Sequence, residues 1–114
     1  MKRKSKTLKR TIKFLSGTNN PQVVSSVIAN SSDPVIKSIC NAALNVAKGS
    51  VHLKKKQKKI LSANRDLIQQ LIQKGEPVQA KRKILVQSGG SVLGVVVPII
   101  LSAVLSSLGS ALFK

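Results

Sequence analysis

Three runs of cations hold most of the groups that could do chemistry in this chain of 114 residues. Lys2, Arg3, Lys4, Lys6, Lys9, Arg10 and Lys13 crowd the start. Lys54, Lys55, Lys56, Lys58 and Lys59 sit in the middle, and Lys81, Arg82 and Lys83 form the third run. Ammonium and guanidinium groups at this density bind phosphates, and each phosphate neutralised releases a counterion. If the three runs meet about 8 phosphates, log affinity should fall against log salt with a slope of about −7. Opposing charge is scarce: 20 Lys and Arg face three acids, for a net charge of +17. So large a charge repels itself in a compact state and calls for a polyanionic partner, which nucleic acid or anionic lipid would supply.

Base-specific readout finds little support. Arginine, the usual bidentate reader of guanine, occurs only at Arg3, Arg10, Arg65 and Arg82. Single-strand stacking platforms are missing as well, since Phe14 and Phe113 are the only aromatic side chains. The expectation is therefore non-specific binding that packages or compacts the nucleic acid.

Catalysis fares no better. Cys40 and His52 are the one thiol and the one imidazole, and the acids are Asp33, Asp66 and Glu76. A thiol nucleophile needs a base and a group to orient it. Cys40 instead falls on the apolar face of an expected helix, which makes it a packing residue. No cluster has metal-ligand spacing, and "SGGSVLG" (88–94) lacks the lysine and preceding strand of a phosphate loop. No enzyme activity, metal or cofactor is expected.

The elements that carry these groups read as helices, with a fold class of all-α. Residues 1–32 are expected to be a disordered basic arm, because dense like charge favours a mobile segment, followed by a polar linker whose one short apolar patch, Val23, Val24, Val27 and Ile28, is enough for a helical turn or two. Residues 33–88 make a basic helical domain. Its first helix runs 33–49, with Asp33 as cap, Pro34 in the first turn and Gly49 as the stop. Ile36, Ile39, Cys40, Ala43, Leu44 and Ala47 share one face of it. A second helix carries the stripe Ile60, Leu61, Leu67, Ile68, Leu71 and Ile72 and ends at Gly75. A shorter helix covers about 77–87.

Residues 89–114 read as a Gly-Gly hinge and a hydrophobic C-terminal helix. Ser91 to Phe113 carry no charge, and at about 1.5 Å per residue they are long enough to cross a membrane core. Ser102, Ser106 and Ser110 form one small-residue row, and Ala103, Ser107 and Ala111 another, as in close helix packing within a bilayer. Pro98 is compatible with a membrane helix. The other expectation is burial in an oligomer, because so small a domain offers little apolar surface to cover a helix that is oily all round. Partners for residues 91–113 are thus a membrane, the inner surface of a capsid, or a second copy of the chain.

The order of a basic segment, Gly-Gly and an apolar tail containing proline resembles the precursor of the adenovirus late mu core protein, called protein X. Closer still are small protein-X-like products of Maverick/Polinton elements and adintoviruses. The stretches that carry the likeness are "CNAALNVAKGSVHL" (40–53), "KKQKKIL" (55–61), "KRKILVQSGG" (81–90) and the tail beyond. The resemblance covers about residues 36–113 and implies a virion core protein that condenses viral DNA. It also implies maturation cleavage after Gly-Gly, with Gly89, Gly90 and Ser91 at the candidate scissile site. The chain departs from the adenovirus pattern in using mostly lysine and in placing Gln87 where an aliphatic residue is usual. The alternative reading is a small membrane-active or tail-anchored virion protein that works through residues 91–113. The resemblance places the protein in the virion, passing through the host nucleus or a membrane during assembly.

Overall fold

The segment from Asp33 to Ala47 shows how the sequence builds this molecule. Apolar residues recur at three- and four-residue spacing, Pro34 occupies the first turn, and Gly49 adopts a φ of +76° just past the end. Ser50 N–H donates to the Asn45 carbonyl and Gly49 N–H to that of Val46, which closes the helix in a Schellman motif.

The computed structural model describes residues 2–18, 20–87 and 90–108, with side chains over 8–18, 20–87 and 94–106. Among them are seven helices and no strand, so the all-α expectation holds. They are α1 (Lys2–Gly17), α2 (Pro21–Asn30), α3 (Asp33–Ala47), α4 (Lys55–Ala63), α5 (Arg65–Ile72), α6 (Val78–Gln87) and α7 (Gly90–Leu108). The radius of gyration is 12.7 Å, against about 13 Å expected for a folded chain of this length.

Helix α7 is the centre. Val96, Val97, Ile100, Leu101 and Val104 are wholly buried, and α1, α2 and α3 pack against it. Within one chain, α1 and α2 supply apolar faces against which the described part of this oily helix packs. Among the described residues no helix is long and apolar enough to cross a membrane. The transmembrane reading of 91–113 therefore lacks support.

The small-residue rows also have a different place. Ala103 is buried, whereas Ser102 is half-buried and Ser106 exposed. Ser102 and Ser106 thus lie nearer the surface than Ala103. Ser110 and Ala111 lie outside the described residues, as does the side chain of Ser107.

The basic start is helical, not a disordered arm. Leu8, Ile12 and Leu15 stand four and three residues apart, and Ile12 and Leu15 are fully buried. This short amphipathic stripe gives the helix a face to dock, and charge repulsion is relieved by pointing Lys9, Arg10 and Lys13 outward. The expected polar linker folds too. Asn20 caps α2, its Oδ1 accepting from Gln22 N–H at 3.0 Å and Val23 N–H at 3.3 Å, and Val24 and Ile28 are buried.

Two further expectations change. Asp33 does not cap α3; Ser32 holds the N-cap position without a side-chain bond, and the Asp33 carboxylate turns to Arg82 instead. The helix expected through 60–72 is two helices, broken at Asn64, whose φ of −114° and ψ of 27° leave the helical region. Asn64 Nδ2 donates to the Ile60 carbonyl at 2.9 Å and stabilises the break.

Candidate nucleic-acid interface

Each cationic run is positioned by a buried face behind it. In α1, the burial of Ile12 and Leu15 leaves Lys9, Arg10 and Lys13 exposed; the side chains of Lys2, Arg3, Lys4 and Lys6 lie outside those described. In α4, Leu61 alone is buried, so Lys54, Lys55, Lys56, Lys58 and Lys59 all reach solvent. Gln57 Oε1 accepts from the Lys54 N–H at 2.9 Å and secures the start of this lysine-rich helix.

Arg10, Lys13, Lys55, Lys56, Lys58, Lys59 and Lys83 make no salt bridge with a described acid. Their charge is directed outward, where phosphate could meet it. Extended ammonium stems also lose less solvation on binding a phosphate at the surface than they would in a cleft.

The third run divides. Lys83 is exposed and Lys81 half-buried, but Arg82 belongs to the interior architecture. Its Nη1 donates to the Ser31 carbonyl at 2.6 Å and the Ile28 carbonyl at 3.0 Å. Its Nη2 meets Asp33 Oδ1 at 2.7 Å, and its Nε donates to Gln79 Oε1 at 3.2 Å. One guanidinium thus holds carbonyls at the end of α2 and a carboxylate in the first turn of α3, the charge signs that both helix dipoles favour. Arg82 joins α6 to the α2–α3 corner and has little donor capacity left for phosphate. Sequence reasoning put it in the binding set because a partner more than fifty positions away leaves no local signal.

The remaining candidate chemistry is quiet. Cys40 is buried, and burial pushes its thiol above the ordinary 9.0, although nearby Lys81 pulls the other way. A protonated thiol with 8 % exposure is a packing group. No group of His, Cys, Asp and Glu fit to hold a metal occurs among the described residues. Ser88 and Gly89 of the Gly-Gly region lie outside the described residues; Gly90 opens α7.

A scan against protein-family models, a search of curated proteins and a search of solved structures each return no match for this chain.

Proposed function

We propose that this protein is a virion core component that binds and condenses double-stranded viral DNA through Lys and Arg contacts to phosphate, without reading sequence. The observation that carries the proposal is the outward charge of Arg10 and Lys13 on α1 and of Lys55, Lys56, Lys58 and Lys59 on α4, none paired with a described acid, on a chain of net charge +17. Small surface helices, each presenting several cations on a rigid body, can bridge neighbouring duplex segments, as condensation requires. The likeness to protein-X-like products supports the same reading. Cleavage at Gly90–Ser91, which that likeness implies, would leave α7 held by its apolar contacts alone.

The test is DNA binding by the full chain across a salt series, on duplexes of unrelated sequence. The whole chain is needed because residues beyond 90 supply the centre of the core. The expected result is a slope of about −7 that does not change with sequence. Replacing Lys54, Lys55, Lys56, Lys58 and Lys59 together with Gln should make that slope shallower by several units. Binding no tighter than that of an oligolysine of equal charge would count against the proposal.

A further inference from the structure

Lys58, Arg65 and Ile72 repeat every seven residues, and Leu61 and Ile68 fall between them at the same interval. All five border one open cleft of about 400 Å³, even though the chain changes helix at Asn64. Val46 at the end of α3 and Leu53 in the following loop form the opposite wall. Leu61 and Ile68 are nearly buried at its floor, while Lys58 and Arg65 stand exposed at its rim. Neither cation has a salt-bridge partner among the described acids. The result is an apolar seam, at most about 21 Å long at helical rise, with a positive charge once per heptad.

We propose that this cleft is the docking groove for an acidic amphipathic helix of a partner protein. Two acids seven residues apart on that helix would meet Lys58 and Arg65, and its intervening apolar side chains would fill the space over Leu61 and Ile68. An apolar floor with cations at its rim is the complement of an amphipathic helix laid in a groove with acids beside its apolar face. The charge selects among the possible occupants. A second copy would bring another +17 chain to a seam already carrying two cations. A nucleic acid would leave the apolar floor unused, since the lining offers no aromatic ring for a base. A single-chain amphiphile needs a cation at one end, not one per heptad along the stripe. Lys58 and Arg65 also add to the positive charge of the DNA reading, whereas the apolar floor serves this groove alone, so the two stand or fall separately.

The probe is a labelled synthetic helical peptide of about three heptads, with Glu at the two facing positions and Leu between them. Its binding to the full chain is read by fluorescence anisotropy, at salt high enough to screen diffuse attraction. Saturable one-to-one binding is expected, with a scrambled peptide of equal charge at least about tenfold weaker. Lys58→Glu with Arg65→Glu should weaken binding about tenfold or more. Arg10→Glu with Lys13→Glu, the same charge change on α1, should alter it less than about threefold. A peptide with Lys in place of Glu should regain binding to the Lys58→Glu, Arg65→Glu protein, a recovery that misfolding could not produce. DNA affinity should fall alike for both pairs, because phosphate attraction counts charge more than place. Equal binding of the scrambled peptide, or equal loss with both pairs, would overturn the proposal in favour of generic attraction. Displacement of the peptide by one equivalent of laurate would overturn it in favour of an amphiphile site, and a dimer abolished by the Lys58→Glu, Arg65→Glu change would do so in favour of self-docking.

Discussion

Helices α4 and α7 divide the molecule's chemistry between them. Helix α7 carries no charge and packs against other helices, with five of its side chains wholly buried. Helix α4 and its cap residue carry five lysines and bury one side chain, Leu61. Each is extreme, and each is stable only because the other elements are ordinary amphipathic helices. Helices α1, α2 and α3 turn an apolar face to α7, and that sheltered centre gives α4 a body on which to stand. The lesson is that the oily and the cationic parts are two sides of one fold.

The comparison breaks most readily at α7. Introducing Asp at Ile100 would bury an unpaired carboxylate among aliphatic groups, and a loss above about 4 kcal/mol is expected, enough to abolish a cooperative melt. Residues 1–90 alone should likewise show no cooperative thermal transition by circular dichroism. A sharp transition in that fragment would show that α7 is dispensable and its packing incidental.

Smaller effects sharpen the picture. Arg82→Ala should cost about 2–3 kcal/mol in denaturant unfolding, since it removes the guanidinium donors to the Ser31 and Ile28 carbonyls and the ion pair with Asp33. Lys83→Ala, the neighbouring exposed cation, should stay within about 0.5 kcal/mol. Gly94→Ala tests the contact between α7 and Pro21. A Cβ there would lie 2.8 Å from both the Cα and the Cγ of Pro21, neither of which can yield easily. Overpacking outweighs the gain in helix propensity, for a net loss of about 1–2 kcal/mol in the same assay.

The smallest effect concerns pH. Because burial raises the Cys40 pKa in the folded state above its ordinary 9.0, the folded protein holds that proton more tightly than the unfolded chain. Stability from this group is complete below pH 9 and declines as pH rises through the folded value. Cys40→Ala should flatten that alkaline decline in melts taken above pH 9, and an unchanged slope would exclude the thiol as its source.

These outcomes follow the line between what the sequence displayed and what it concealed. Helix α3 was legible because periodicity, Pro34 and Gly49 all agreed. The exposure of Lys55, Lys56 and Lys59 was legible because lysines rarely lie buried without partners. Helix α1 was hidden: its dense charge suggested an arm, although Leu8, Ile12 and Leu15 held the spacing that docks it. Burial of α7 was ambiguous in principle, since a helix apolar all round suits a bilayer or a protein interior equally. Arg82 and Gly94 depend on residues far away in sequence, and only the fold brings Ser31 to one and Pro21 to the other.

The position of α7 in the chain has a consequence for how the protein is made. Six helices leave the ribosome before the one onto which α1, α2 and α3 close, so most of the native core must wait for it. Contacts between α1 and α7 join residues from opposite ends of the described chain, and such long loops close slowly. Throughout that interval a nascent polycation would be unfolded beside ribosomal RNA. Emergence of α7 would then act as a timer, withholding the rigid, outward-facing arrangement of charge until that helix has been made.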